Sequence, residues 1–295
     1  MSNVKKHLSD YQDFTRIIRE FFYTRQVTEV VTPSLLEAPT TDVYIDSIEV
    51  SVNQAISKPS KLYLHTSPEL EMKRLLAKGS GDIFQMCQVY RDNEYGRINS
   101  NEFTMLEFYR IEFNIHQLMD EITELLAALG SNATVKKLSY SQVFFEYSDI
   151  DILNSDMSDL KKIANKLGLN SDYDWIEDIQ MLLFVHLIEP KLKEIPVCFI
   201  YDFPNQQAAL AEIHGPIAHR FEMYLSGTEV ANGYQEIQSA QDYRDRFNTE
   251  LNKRKDLSKP FEFLDNSFLE DLEEGIPKCS GVAIGIERLY SSLSL

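Results

Sequence analysis

Residues 83–113 read IFQMCQVY, RDNEYGRINSN and EFTMLEFYRIEF, and these three consecutive parts decide the fold. The first and third parts combine aliphatic with aromatic residues, which predicts two neighbouring strands, over residues 83–90 and 102–113. The polar part between them, residues 91–101, is long for a hairpin loop. Loops of this kind carry binding and catalytic residues, so residues 91–101 form a candidate functional loop.

The segments on either side predict helices and further strands. Ser67 and Pro68 predict the N-cap and the first position of a helix. Ser226-Gly227 predicts a tight hairpin turn. Because the strands follow one another without alternating helices, the pattern favours an α+β domain, an antiparallel sheet flanked by helices. The other predicted strands are residues 26–31, 197–203, 218–225, 227–231 and 279–285, and the predicted helices are residues 10–25, 69–76, 115–129 and 239–253 and a last one from residue 286.

The composition is that of a globular chain of 295 residues with a large negative charge. Asp and Glu number 46 against 29 for Lys and Arg, a formal charge of −17. Nucleic-acid binding relies on Lys and Arg at phosphates, so this balance argues against a general DNA- or RNA-binding protein. Apolar runs stay far below the roughly 20 residues of a membrane span, and we expect no membrane partner. The start of the chain lacks the apolar region of a signal peptide, and the three separated cysteines fit a reducing compartment, so we expect a cytoplasmic protein.

Residues 1–295 are expected to form a single domain. Residues 149–192 are acidic and mostly helical in pattern, and we interpret them as an insertion carried on that domain. The sequence contains no phosphate-loop, dinucleotide-binding, HExxH or nucleophile-elbow motif.

Strand alternation groups several candidate binding residues. Phe103, Met105, Glu107 and Tyr109 share one face of their strand, and a carboxylate and a phenol beside apolar residues make a plausible pocket for an ammonium group. The alternative is a glutamate at a strand edge that faces solvent.

A second group follows from the predicted hairpin. The two-residue turn sets Glu229 opposite Tyr224 and leaves Glu222 diagonal to Glu229 on the same face. Two carboxylates that close repel each other unless a cation lies between them, and Mg²⁺ prefers hard oxygen ligands. The alternative is two independently solvated acids.

The end of the chain suits an anion. The small residues Gly281, Ala283 and Gly285 let a ligand approach the backbone, and Arg288 lies in the first turn of the helix that follows. An arginine near a helix N-terminus favours a phosphate, although an isolated surface arginine is the ordinary interpretation.

Taken together and in this order, four stretches resemble the catalytic domain of class II aminoacyl-tRNA synthetases of the lysyl type. The loop from Arg91 resembles motif 2 of that class, residues 281–288 resemble motif 3, and residues 14–33 are compatible with motif 1, which implies a homodimer. Over nearly the whole chain the closer resemblance is to the elongation factor P–(R)-β-lysine ligase family, which are stand-alone paralogues without the anticodon-binding domain. Ala283 stands where lysyl-tRNA synthetases usually have glycine and this family has alanine. The four stretches are residues 66–69, 84–109, 221–236 and 281–289.

The resemblance implies an ATP-dependent ligase that uses Mg²⁺. It would activate (R)-β-lysine as an adenylate and transfer the β-lysyl group to the ε-amine of a lysine on elongation factor P, with AMP and pyrophosphate released and no tRNA involved. The implied catalytic residues are Arg91 and Arg288, which would hold the α- and γ-phosphates, and the implied Mg²⁺ ligands are Glu222 and Glu229. The implied ATP-binding residues are Arg91, Asp92, Asn93, Ser100, Phe103, Glu229, Val230, Gly285 and Arg288. The implied substrate-binding residues are Ser67, Pro68, Glu69, Glu107, Tyr109, Asn232, Glu236 and Ala283.

The sequence departs from the family pattern within the candidate loop. The family reads Arg-Asn-Glu where this chain has Arg91-Asp92-Asn93, and His-Asn-Pro-Glu where it has Asn99-Ser100-Asn101-Glu102. The chain also ends soon after Arg288, where relatives continue. The altered loop keeps open the alternative of a non-catalytic sensor of adenylate or amino acid. A paralogue that activates α-lysine for another carrier also stays open, because Glu107, Tyr109 and Glu236 would contact only the distal amine.

Overall fold

The computed structural model describes residues 3–52, 61–94, 96, 99–260 and 263–293. The chain divides into two compact units: the first comprises residues 1–113 with 236–287, and the second comprises residues 114–235 with 288–295. None of the described helices is long and apolar enough to cross a membrane. Residues 95, 97 and 98 of the candidate loop lie outside the described residues.

The helices and strands follow in chain order. The strands are β1 (Thr28–Glu29), β2 (Leu35–Leu36), β3 (Glu49–Ser51), β4 (Lys61–Leu64), β5 (Ile83–Tyr90), β6 (Glu102–Ile111), β7 (Val135–Ser139), β8 (Val197–Pro204), β9 (Ile213–His214), β10 (Ile217–Leu225), β11 (Thr228–Gln235) and β12 (Cys279–Gly285). The helices are α1 (Asn3–Thr24), α2 (Glu69–Ala77), α3 (Ile115–Ala128), α4 (Tyr140–Ser148), α5 (Met157–Lys166), α6 (Ile176–Leu183), α7 (Glu189–Leu192), α8 (Ala240–Asp256), α9 (Asn266–Asp271) and α10 (Ile286–Ser292). A π-helical turn, Phe184–Ile188, joins α6 to α7.

The first unit contains strands in the order β1-β5-β6-β12, with α1 packed against them. β1 is parallel to β5, and the β5–β6 and β6–β12 pairs are antiparallel. Phe22 of α1 lies 4.7 Å from Phe84 and 4.8 Å from Phe108 between ring centroids. Because α1 covers this aromatic face, Glu107, next to Phe108 on β6, projects from the opposite face.

The second unit contains strands in the order β11-β10-β8-β7, with β9 paired to β10. The β7–β8 pair is parallel, whereas β10 is antiparallel to both of its neighbours β8 and β11. The helices between residues 149 and 192 bury apolar side chains in the same core as α4, β8 and β10. Within that core the rings of Tyr140 and Phe184 stack at 5.4 Å.

The predicted α+β class is confirmed, and most strand neighbours are antiparallel as predicted. The predicted Ser226-Gly227 turn is also confirmed, since both residues have positive φ, at 46° and 80°. The predicted cap of α2 is wrong by one residue. The helix begins at Glu69 with Pro68 as its N-cap, and the Ser67 hydroxyl accepts a hydrogen bond from the Glu69 N–H at 3.3 Å.

Several boundaries also differ from the prediction. α1 begins at Asn3, because its first turns are polar and give little periodic signal. β11 continues to Gln235, beyond the predicted end at residue 231, because polar residues and a glycine carry no strand signal. β2, β3 and β4 were not predicted, since they are only two to four residues long and depend on tertiary pairing.

The hairpin turn gives a first testable prediction. Gly227 has φ of +80°, and a Cβ there would lie 2.7 Å from Lys193 Cγ and 3.1 Å from the Lys193 backbone nitrogen. Gly79 has the same φ but only open space around the added atom. Gly79→Ala should therefore lower the free energy of unfolding by about 1–2 kcal/mol for the left-handed conformation alone. Gly227→Ala should cost roughly 1–2 kcal/mol more, because the contact with Lys193 adds overpacking. If urea denaturation shows the same decrease in the free energy of unfolding for both variants, Lys193 moves aside without an energetic cost, and the prediction is wrong.

Candidate functional site

A pocket of buried acidic side chains lies in the first unit. We call it the acid pocket, and it consists of Glu69 and Lys73 of α2, Glu107 and Tyr109 of β6, and Glu236. Glu107 and Glu236 are only 2% and 1% exposed. The Tyr109 hydroxyl donates a hydrogen bond to Glu107 Oε1 at 2.5 Å, whereas Glu107 Oε2 has no hydrogen-bond partner among the described residues. The pocket therefore presents a buried carboxylate oxygen to a donor from outside the chain.

Lys73 brings a resident positive charge into this pocket. Its side chain is completely buried, and Nζ lies 2.5 Å from Glu69 Oε1 and 2.7 Å from Glu236 Oε2. Nζ also lies 5.1 Å from the centroid of the Tyr243 ring. The sequence prediction missed Lys73, although a Glu followed by a Lys four residues later on a helix is a recognisable pair.

The pocket raises the pKa of two of its acids, Glu107 and Glu236. Burial raises the pKa of Glu107 to about 8, and the neighbouring charge of Glu69 adds to the rise. Burial also raises the pKa of Glu236 to about 7, with Lys73 acting in the opposite direction. Burial raises the pKa of Tyr109 well above its usual value, so the phenol stays protonated and remains a donor. A cation in the pocket would favour the ionised carboxylates.

β12 forms one wall of the acid pocket. Gly281 is paired with Tyr109, and Ala283 with Glu107. A Cβ on Gly281 would lie 2.3 Å from Tyr109 Cε1 and 2.6 Å from Glu236 Oε1, so only glycine allows both groups to lie directly on this backbone. The methyl group of Ala283 shares the face of Glu107, because directly paired residues of a sheet project to the same side.

The described part of the candidate loop adjoins β6. The Arg91 guanidinium carbon lies 5.1 Å from the centroid of the Phe103 ring. The Asp92 N–H donates to the Asp46 carbonyl at 2.8 Å. Asn93 has φ of 60°, a left-handed conformation that asparagine adopts far more readily than glutamate, which gives the departure from the family pattern a backbone reason. The Ser100 hydroxyl accepts the Glu102 N–H at 3.4 Å.

In the second unit, β10 and β11 present a polar face whose members were partly predicted. Glu229 is paired with Tyr224, as predicted, whereas Glu222 is paired with Asn232 because the register shifts after Met223. The extra residue on β11 is Val230, a β-bulge. As a result Glu229 and Asn232 share a face although they are three positions apart. We call Arg220, Glu222, Tyr224, Glu229 and Asn232 the hairpin face.

Glu222 is tightly held within the hairpin face. It is buried; its Oε1 pairs with Arg220, and its Oε2 accepts the Tyr224 hydroxyl at 2.5 Å. Arg220 also donates to Asn232 Oδ1 at 3.1 Å. The sequence analysis placed Tyr224 opposite Glu229 without a role of its own, and it missed Arg220, although both residues share the strand alternation that singled out Glu222.

The donor set of the hairpin face fits Mg²⁺, since Glu222 and Glu229 both supply hard carboxylate oxygens. Each oxygen of Glu222 retains a lone pair beside its present partner. Among the described residues, no group of three His, Cys, Asp or Glu side chains could hold a metal ion. Mg²⁺ on these two residues would therefore need phosphate oxygens and water to complete its shell. Arg288, also in the second unit, donates from Nη1 to the Glu229 carbonyl at 3.0 Å.

The structure thus brings the predicted residues together in two sets. Glu69, Glu107, Tyr109, Glu236 and Ala283 adjoin one another in the first unit. Glu222, Glu229 and Asn232 share the hairpin face in the second unit. The role of each residue in binding or catalysis stays a prediction.

Comparison with known proteins identifies the family. The model for class II tRNA synthetases (D, K and N) matches residues 1–294. A protein of Proteus mirabilis is 43% identical over 279 residues, which cover 92% of this chain and 86% of the relative. Relatives from Edwardsiella ictaluri and Vibrio atlanticus are 42% and 40% identical, over 92% and 96% of this chain and 86% and 90% of their own lengths. All three are named elongation factor P–(R)-beta-lysine ligase. The chain belongs to the class II tRNA synthetase family, as its motifs predicted.

The raised acidic pKa values predict how the acid pocket binds amines. An ammonium ligand needs ionised Glu107 and Glu236, so its affinity should rise as pH increases from 6 to 8.5, before the ligand's own amines lose protons. We expect lysine to bind at least about tenfold more tightly at pH 8 than at pH 6, since one pKa unit corresponds to a tenfold change. Calorimetry in buffers of different ionisation enthalpy should also detect proton release on binding. Affinity that stays flat over this range, with no proton release, would contradict the prediction.

Proposed function

We propose that this member of the class II tRNA synthetase family activates (R)-β-lysine with ATP and transfers the β-lysyl group to a lysine side chain of elongation factor P. The names of three relatives at 40–43% identity over at least 92% of the chain support the substrate and the acceptor. The formal charge of −17 agrees with an acceptor other than tRNA.

The observation that carries the proposal is the unpartnered oxygen of Glu107 in the acid pocket. The side chain of Glu107 is 2% exposed, and among the described residues only one of its two oxygens accepts a hydrogen bond, from Tyr109. Burying it as an ionised carboxylate costs free energy unless a cation pairs with the other oxygen. The distal ammonium group of β-lysine would donate to this oxygen. A neutral amino acid would leave the acids without that cation, and this cost is the physical source of selectivity.

The reaction follows in two balanced steps. An oxygen of the β-lysine carboxylate attacks the α-phosphorus of ATP, the bond to the β-phosphate oxygen breaks, and pyrophosphate leaves with that electron pair. The neutral ε-amine of the acceptor lysine then attacks the acyl carbon, AMP leaves as the phosphate–acyl bond breaks, and the amine loses one proton to form the amide. The protein's contribution is to position the reactants and stabilise charge.

The chain offers cationic groups for the triphosphate. Arg91 would hold the α-phosphate, and Arg288 the γ-phosphate, as bidentate donors. Phe103 supplies a ring for the adenine, and the contact of Arg91 with this ring already keeps the guanidinium near it. Mg²⁺ on Glu222 and Glu229 would neutralise phosphate charge, while Asn232 would meet the amino acid's carboxylate and Glu69 its nearer ammonium.

We further propose a cytoplasmic homodimer. All three cysteines are free thiols, which fits a reducing compartment. α1 exposes Val4 and Leu8, and Val31 after β1 is 93% exposed, so this part of the first unit has apolar groups available to a second copy of the chain.

ATP–pyrophosphate exchange tests the activation step. We expect exchange to be strongest with (R)-β-lysine, weaker with α-lysine, and negligible with norleucine, which lacks the distal amine. Glu107→Gln should lower kcat/KM for the amino acid by about 100-fold, because the amine loses its charged partner. Glu146→Gln, an exposed substitution on α4, is the matched control and should leave exchange unchanged.

Each other pattern of exchange identifies an alternative. Exchange with α-lysine alone would retain the activation chemistry and reject β-lysine as the substrate. Binding of ATP without exchange for either amino acid would identify a non-catalytic sensor. Transfer is tested separately by the mass of elongation factor P, which should increase by one β-lysyl group.

The methyl group of Ala283 shares the face of Glu107, so position 283 can be tested for its effect on the choice between the two lysines. Ala283→Gly should shift the ratio of kcat/KM values toward α-lysine by enlarging the pocket at this point. Val282→Ala, on the opposite face of β12, removes bulk without entering the pocket and should leave the ratio unchanged. If Ala283→Gly leaves the ratio of the two lysines as it was, Ala283 does not select between them.

A further inference from the structure

We propose that Lys73 sets the charge of the acid pocket, so that the pocket is complementary to an amino acid carrying two ammonium groups. This inference rests on the proposed function, because it concerns how the same pocket chooses its amino acid. It gives Lys73 a role as a positioning residue that acts on Glu69 and Glu236.

The geometry makes Lys73 a bridge between two carboxylates from different parts of the first unit. Glu69 lies one helical turn before it on α2, whereas Glu236 lies beside β12, where its N–H donates to the Cys279 carbonyl at 3.1 Å. With Nζ within 2.7 Å of both acids, Lys73 fixes their separation. Its complete burial prevents bulk water from replacing the ammonium group.

The titratable groups around Lys73 come from each neighbouring element. They are Glu69 of α2, Glu107 and Tyr109 of β6, Glu236, Tyr243 of α8 and Cys279 of β12. The phenols and the thiol remain neutral, because burial raises the pKa of Tyr109, Tyr243 and Cys279 well above neutral pH. The charged set is therefore three carboxylates and one ammonium, a net charge of −2 when all the acids are ionised.

This net charge is matched by a diamino acid. Two ammonium groups bring the buried set to neutrality, while a ligand with one ammonium group leaves one negative charge uncompensated. Without Lys73, the same pocket would hold three mutually repelling carboxylates, and the pKa values of Glu107 and Glu236 would rise further. At neutral pH such a pocket would take up protons and lose the ionised acids that bind amines.

Arg74 offers a control on the same helix. It is the next residue after Lys73, about 100° further around the helix, and it pairs with Glu71 at 2.9 Å and with Asp265 at 2.8 Å. Removing Arg74 weakens the attachment of α2 without changing the charge of the acid pocket. A purely structural role for Lys73 would make the two positions behave alike.

The experiment measures amino-acid affinity by calorimetry at several pH values for wild type, Lys73→Met and Arg74→Met. Lys73→Met should weaken binding of (R)-β-lysine at least about tenfold at pH 7, equivalent to one pKa unit. The difference in (R)-β-lysine affinity between wild type and Lys73→Met should become smaller toward pH 9, because the mutually repelling acids ionise at that pH. The affinity for ATP should not change. Arg74→Met should lower the melting temperature but keep the wild-type pH profile.

A second variant keeps the test decisive if Lys73→Met fails to fold. Lys73→Ala leaves space for a small amine. Millimolar propylammonium should therefore restore amino-acid binding to Lys73→Ala and leave the affinity of Arg74→Met unchanged. Unchanged affinity and pH profile in Lys73→Met would overturn the inference, and so would tighter binding, which would mean that Lys73 competes with the ligand. If wild type itself binds no lysine, the proposed function fails instead, so the two failures are distinguishable.

Discussion

The burial of like charges in one small pocket is the constraint on which the first unit depends. Removing an ionised carboxylate from water costs several kcal/mol unless partners compensate. Glu236 is compensated by Lys73, and one oxygen of Glu107 by the hydroxyl of Tyr109, whose ring lies against the backbone of Gly281. The next residue of α2 after Lys73, Arg74, pairs with Asp265 and Asp271 and so attaches this helix to α9. The helix that carries Lys73 into the acid pocket is therefore held in place by a second set of ion pairs.

A comparable chain of contacts supports the candidate loop. The buried guanidinium of Arg254 on α8 donates to the carbonyls of Asp42 and Ile45 at 2.7 and 3.1 Å and to the Asp46 carboxylate at 3.0 Å. The backbone carbonyl of Asp46 in turn accepts a hydrogen bond from the backbone N–H of Asp92. The start of the loop is thus held by a backbone hydrogen bond that does not depend on the side chain at position 92, so substitutions there other than proline leave this support in place.

The fold and the outline of the site could be predicted because they depend on local signals. Alternation on β6 singled out Glu107 with Tyr109, and the Ser226-Gly227 turn gave the pairing of Glu229 with Tyr224. Lys73 and Arg220 were missed although each lies at a recognisable spacing from an acid, Glu69 and Glu222, because spacing alone does not distinguish a buried ion pair from an exposed one. Short strands such as β2 were missed because two residues carry too little pattern.

The bulge at Val230 changes which side chains of β11 share a face. Side chains on a strand alternate with a period of two, so Glu229 and Asn232 would be assigned to opposite faces by counting. The extra residue shifts this alternation by one position. If odd-numbered residues before it project from one face of the strand, even-numbered residues project from that face after it. Deleting this one residue, with all the others kept, would therefore place Glu229 and Asn232 two positions apart on β11 and so on the same face without a bulge. The spacing of site residues along this strand therefore depends on the backbone bulge as well as on the ligand that the residues would bind.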